Sequence, residues 1–191
     1  FVGSHLLRLL VNKGLSVRAT KRPNSNLYWV DDVATQIEWV DCDINDPQGL
    51  YDAMANIEQV YHSAALVSFD RSKQKLLHET NVEGTANVVN MALERGVKKL
   101  LHVSSIASIG RKLNQPQVDE TIQWEDSPIN TQYAISKNLA EREVWRGVAE
   151  GLSAVIVNPS VIIGEGEWST GSCRLFTQVW EGLKFYPLGG T

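Results

Sequence analysis

The sequence predicts a doubly wound α/β fold, a parallel sheet with helices on both faces. Apolar strand-length runs alternate with helical periodicity from one end to the other. No internal repeat or low-complexity linker interrupts that alternation. Small or polar residues follow each strand-like run, as expected where the carboxyl ends of parallel strands border a ligand crevice.

Leu6, Leu7, Leu9, Leu10 and Val11 recur at helical spacing and Gly14 follows, so residues 3–13 form a helix closed by glycine. Residues 15–20 alternate apolar and polar before the turn signal at Pro23, and residues 37–41 form a second strand. Asp46 and Pro47 open a helix as N-cap and first residue. Residues 60–65 form a third strand, 82–95 a helix closed by Gly96, and 98–105 a fourth strand. Residues 107–130, with Gly110, Pro116 and Pro128, form a long loop. A helix spans 131–150, ending at Gly151. Residues 152–157 are almost wholly apolar, which predicts a strand buried on both faces. A glycine-rich loop (Gly164, Gly166, Gly171) and a last helix from about 173 to 182 complete the chain.

The chain has 191 residues, 43% hydrophobic and 21% charged, with 18 basic and 22 acidic side chains and a net charge of −4. This composition excludes a disordered or disulfide-stapled chain, and without a basic footprint nucleic acid is not the expected partner. No apolar run approaches the roughly 20 residues that span a bilayer, so no membrane partner is expected either. Cys42 and Cys173 lack metal-like spacing and read as reduced, buried thiols of a cytoplasmic protein. His5, His62, His102 and His78 also lack metal-ligand spacing, so no metal is expected.

Chemistry concentrates after the strands. Lys21 and Arg22 follow the first, where a dinucleotide fold carries either an acid for a ribose hydroxyl or a base for a 2′-phosphate. No acid lies between Leu15 and Val30, so the phosphate reading stands against that of a solvated basic turn. After the second strand, Asp43 offers an acceptor for an adenine amino group and Ile44 an apolar surface for the ring. Ser63, Ala64 and Ala65 leave the backbone accessible after the third. The fourth ends in Ser104 and Ser105, and the helix beyond carries Tyr133 and Lys137 four residues apart on one face. An ammonium close to the phenol would favour phenolate and bring the tyrosine towards acid–base work, with Ser105 available to hydrogen-bond a carbonyl oxygen.

Together these motifs resemble an extended short-chain dehydrogenase/reductase, of the group containing dihydroflavonol reductases, 3β-hydroxysteroid dehydrogenases and nucleotide-sugar epimerases. The resemblance implies a Rossmann domain over residues 1–164 and the start of a substrate-binding region over 165–191. Gly3 resembles the third glycine of the family's G-x-x-G-x-x-G loop, Arg22 matches the 2′-phosphate position, and Asp43 and Ile44 match the adenine contact. Ser63, Ala64 and Ala65 match the strand end beside the cofactor and Asn81 the asparagine in the helix behind it. Ser105, Tyr133 and Lys137 match the catalytic serine, tyrosine and lysine, and Asn158, Pro159 and Ser160 the loop over the nicotinamide.

The implied activity is hydride transfer between NADP(H), with NAD(H) as the lesser choice, and a ketone or aldehyde or the matching secondary alcohol. The alternatives are a nucleotide-sugar 4-epimerase or a non-catalytic dinucleotide-binding sensor. Residues 106–108 lack the acidic pair of the 4,6-dehydratases, and Ile109 replaces an aromatic residue frequent in epimerases, which leans towards a reductase. By analogy alone, the helices at 82–95 and 131–150 would pair two subunits in a homodimer. The strand order 3-2-1-4-5-6 has a central first strand that these residues do not provide, so the chain is expected to be a cropped view of a longer protein.

Overall fold

The computed structural model describes residues 1–110, 119 and 121–183; the predicted loop residues 111–118 and 120, and residues 184–191 of the expected substrate region, lie outside the described residues. Five parallel strands form two groups: β1 (Val17–Lys21) with β2 (Ile37–Asp41), and β3 (Gln59–His62), β4 (Lys99–Val103) and β5 (Ala154–Val157) in that order. The registers run Val17 opposite Ile37, Gln59 opposite Lys99, and Leu100 opposite Ala154. No ladder joins β1 to β3 among the described residues. A cleft of 780 Å³ between them is walled by Leu6, Leu10, Val17, Ala19 and Val60.

The helices are α1 (Val2–Asn12), α2 (Pro47–Ala53), α3 (Gln74–Leu77), α4 (Gly84–Glu94), α5 (Gln132–Ala149) and α6 (Arg174–Trp180). Their ends follow local chemistry. Asp46 caps α2 by accepting from Gly49 N at 3.1 Å, and Thr131 caps α5 by accepting from Ala134 N at 3.1 Å. Gly14, Gly96 and Gly151, each just past a helix, have positive φ, where a side chain would be strained. The helix before β4 begins earlier than its periodicity suggests: α3 runs into a π-helical turn, His78–Glu83, that leads directly into α4. The wider turn changes the helical phase, so a search at 3.6-residue spacing misses it.

The larger core lies where α2, α4 and α5 meet β3 and β4, around Leu50, Val88, Val89, Leu100 and Val144. Gly147 lets α5 approach α4, since a β-carbon there would stand 2.5 Å from Val89 Cγ1. A smaller core of Val11, Val30, Val33 and Ile37 holds α1 to the first two strands.

Two strand expectations need correction. The third strand stops at His62, so Ser63, Ala64 and Ala65 form the segment beyond the ladder. β5 is not buried on both faces: among the described residues it pairs only with β4, and Val155 and Val157 are exposed. Its apolar composition is equally compatible with an edge strand, because continuous hydrophobicity does not report which neighbours are present.

Candidate active site

The functional groups converge at the carboxyl end of β4. Its chain leaves the ladder at Ser104, and Ser105 starts a tight helical turn over Ile106–Ile109, its Oγ accepting from Ala107 N at 3.2 Å. Gly110 ends that turn at φ +86°, and a β-carbon there would meet Trp124 at 3.1 Å, so this exit admits little but glycine. The Ser105 hydroxyl faces the Tyr133 phenol and favours its ionised form. The backbone amide of Ala107 therefore orients the Ser105 hydroxyl beside Tyr133.

Lys137 lies one helical turn beyond Tyr133, and its side chain is buried. Its Nζ donates to Val103 O at 3.0 Å, tying α5 to the end of β4. Burial lowers its pKa to about 8, against the opposing pull of Glu141. Tyr133 departs from expectation. Burial raises its pKa, and the group that lowers it is Ser105 rather than Lys137. Helical spacing places the two side chains on one face, but the Val103 carbonyl captures the ammonium.

Asn81, in the π-helical turn, is buried and accepts from Leu66 N at 2.7 Å. It donates to Leu66 O at 2.9 Å and to Ser136 Oγ at 2.9 Å. Ser136 Oγ in turn donates to Tyr133 O at 2.8 Å. With its amide turned to protein groups, Asn81 holds the segment after β3 against α5. Asn158 also faces inward, its Nδ2 3.2 Å from Ser105 O and 2.9 Å from Ser108 Oγ. Pro159 O accepts from Ile106 N at 3.0 Å, which stitches the β5 loop to the β4 turn, while Ser160 is exposed.

At the other strand ends, a β-carbon on Gly3 would lie 3.4 Å from Ser63 Oγ, so the start of α1 stands beside the end of β3. Ala64 and Ala65 are exposed. Lys21 forms an ion pair with Asp41, whereas Arg22 is exposed with no side-chain partner among the described residues. Pairing therefore separates two adjacent cations that the sequence presents as equivalents. Asp43 Oδ1 accepts from Asn45 N at 2.9 Å in a local turn. Ile44 packs against Gly84, where a β-carbon would stand 2.6 Å from Ile44 Cδ1, so much of its surface is committed to α4.

Behind the site, the buried rings of His62 and His102 lie 5.1 Å apart. Thr85 Oγ1 donates its proton to Asn81 O at 2.6 Å, so it accepts at 3.0 Å from His62, which must carry its proton on Nε2. Burial first, and the neighbouring charged groups second, lower the pKa of His62 to about 3 and that of His102 to about 2. The unfolded chain takes up protons at both below about pH 6.5 while the folded chain does not, so stability falls with acid, by about 1.4 kcal/mol per pH unit for each histidine. Chemical denaturation between pH 6.5 and 4 should show this loss. His102→Leu should roughly halve the slope, and an unchanged slope would contradict the neutral pair.

Three groups of this site escape a motif-based reading. Phe69, 74% exposed, sets its ring edge to the Tyr133 ring, with centroids 6.0 Å apart. Ser108 and Glu141 lie beneath Ser105, linked by a 2.5 Å hydrogen bond. The one signal for Glu141 is its place four residues after Lys137 and eight after Tyr133. Phe69 and Ser108 have no comparable mark.

Among the described residues no group of His, Cys, Asp and Glu could hold a metal ion, and no helix is long and apolar enough to cross a membrane. Cys42 and Cys173 are buried and unbridged.

Comparison with known proteins agrees with this geometry. A putative dihydroflavonol 4-reductase of Synechocystis sp. is 34% identical over 164 residues, covering 86% of this chain and 47% of the relative. Sterol demethylase protein B of Methylococcus capsulatus is 33% identical over 165 residues, covering 85% of this chain and 49% of the relative. This chain thus spans about half the length of these relatives. The crystal structure of gox2253 superposes with a TM-score of 0.83 at 32% identity, over 93% of this chain and 54% of the other. The family model described as NAD dependent epimerase/dehydratase matches residues 1–184. Nearly the whole chain therefore follows one family pattern, with the serine, tyrosine and lysine of its motifs gathered at a single strand end, and it belongs to the NAD dependent epimerase/dehydratase family, within the extended short-chain dehydrogenase/reductases.

Proposed function

We propose that the complete protein is an NADP(H)-dependent oxidoreductase that interconverts a ketone or aldehyde and the matching alcohol. The observation that carries this reading is the gathering of Ser105, at the carboxyl end of β4, with Tyr133 and the buried Lys137, one turn apart on α5. The residues present fit a nicotinamide dinucleotide: the start of α1 carries no acidic side chain in its first turn, and Arg22 is an exposed cation at the end of β1. Gly3, Arg22, Asp43, the Ser63–Ala65 segment, Tyr133, Lys137 and the loop of Asn158, Pro159 and Ser160 would hold it. Once bound, the nicotinamide supplies or accepts the hydride.

Ser105 and Tyr133 present two hydroxyls to the carbonyl oxygen of a substrate, favouring the charge that develops there. In reduction, Tyr133 transfers its phenolic proton to that oxygen, so the carbonyl gains one hydride at carbon and one proton at oxygen. The raised pKa of the phenol keeps it protonated for this role at neutral pH. Lys137, on the same face, compensates the phenolate that remains until solvent reprotonates it. Phe69 beside the phenol and the exposed Ile106 next to Ser105 offer apolar surface, which supports an aromatic or alicyclic carbonyl over a charged sugar.

A panel of aromatic ketones, steroids, aldehydes and nucleotide sugars tested with NADPH should give net oxidation of NADPH with the first three. Epimerised sugar, retained cofactor and no net redox change would replace the reductase by an epimerase. Arg22→Ala should raise the Kd for NADPH at least tenfold with little change for NADH, because the variant loses a charged contact to the 2′-phosphate. Equal effects on the two cofactors would overturn the phosphate reading.

A further inference from the structure

We infer that Glu141 is a positioning residue of this site: it clamps together the two loops that hold Ser105 and sets an anion against the Lys137 ammonium. The inference rests on the roles of Ser105, Tyr133 and Lys137 given above.

The clamp is a closed hydrogen-bond cluster. Glu141 Oε1 lies 2.5 Å from Ser108 Oγ, in the β4 turn, and 2.5 Å from Asn158 Nδ2, in the β5 loop. Ser108 Oγ is 2.7 Å from Ser105 O, and Asn158 Nδ2 reaches both Ser105 O and Ser108 Oγ. Asn158 brings two protons and Ser108 one. The acceptors are also three: Glu141 Oε1, Ser105 O and Ser108 Oγ. Each acceptor can receive one of these side-chain protons, Ser105 O taking the Ser108 backbone N–H at 3.0 Å as well, so an acceptor at residue 141 completes the set. Ser108 is 1% exposed, which leaves these groups little recourse to solvent. The backbone of Ser105 is thereby fixed from below while its side chain addresses Tyr133 above.

The same carboxylate acts on Lys137. Among the described residues, the titratable groups that act on this ammonium are His62 from β3, His102 from β4 and Glu141 from α5. Both histidines are held neutral and the phenol is protonated, which leaves Glu141 as the anion. Burial pulls the lysine towards its neutral form and Glu141 opposes it. Without that charge Lys137 would lose its proton at lower pH, and with it the capacity to compensate a phenolate.

The test uses the complete protein and two readouts. The first is the Lys137 titration midpoint, followed through its side-chain NMR signal without cofactor or substrate and assigned by its loss in Lys137→Arg. The second is the pH profile of kcat. Glu141→Gln retains an oxygen acceptor but removes the charge, so the midpoint and the alkaline limb of kcat should both move to lower pH, by roughly half a unit or more. Ser108→Ala loosens the clamp but keeps the charge. It should lower kcat severalfold with both pH positions unchanged. An unmoved lysine midpoint in Glu141→Gln overturns the inference, as does an equal pH shift in Ser108→Ala, which would make the effect one of folding alone. Absence of turnover in the unaltered protein overturns the proposed function instead, and the two failures are distinguishable because the titration needs no activity.

Discussion

Tyr133→Phe should lower kcat for carbonyl reduction by about 10² to 10⁴ while leaving the Kd for NADPH within about threefold. The substitution removes one oxygen and keeps the ring. Its packing against Phe69 therefore survives, as does the Ser136 contact to the residue 133 carbonyl. What is lost is the proton donor and half of the pair that addresses the substrate oxygen. Because burial raises the phenol's pKa, the unaltered protein should reduce carbonyls best at neutral or lower pH. Alcohol oxidation, which needs the phenolate as base, should gain as pH rises until Lys137 loses its proton. Stopped-flow turnover beside fluorescence titration of NADPH separates chemistry from binding. A loss of less than tenfold would remove Tyr133 from the proton step.

Asn81→Leu should destabilise the fold by about 3 kcal/mol, the sum expected when buried polar groups lose their partners. Leucine keeps the branch at Cγ but has no donor or acceptor. Leu66 N and O and Ser136 Oγ would lose their asparagine contacts, at a position only 1% exposed. The effect reaches the site by two routes: Leu66 follows the Ser63–Ala65 segment, and Ser136 binds the backbone of Tyr133. Urea denaturation should show a lower midpoint with little change in m-value, and kcat should fall even where the variant is fully folded. A change below about 1 kcal/mol would mean that the segment after β3 is held by other contacts.

Asn81 also shows a brace within the fold that its motif does not announce. The family resemblance assigns it to the cofactor site, and in the fold its side chain bridges Leu66 and Ser136. Asn158 behaves alike, with its amide nitrogen directed to Ser105, Ser108 and Glu141. These contacts brace the loops around the site. A polar side chain near a site has the same signature in sequence whether it meets a ligand or braces a loop. The distinction depends on which unpaired backbone groups lie beside it, and here those come from residues 15 and 53 positions away.

Local chemistry in the sequence determined much about this protein. Strand and helix alternation, the caps at Asp46 and Thr131, and the glycines after helices act over a few residues, so they placed nearly every element within a residue or two. The shared face of Tyr133 and Lys137 likewise follows from helical pitch. Tertiary structure decided where the charges went. It turned the Lys137 ammonium to Val103 O, paired Lys21 with Asp41 while leaving Arg22 exposed, and brought Glu141 beneath Ser105. Those outcomes depend on competition among partners distant in the chain and on burial, which weakens the hold of water on a charge. Neither quantity is a property of a residue and its immediate neighbours, so both emerge only when the strands and helices are packed.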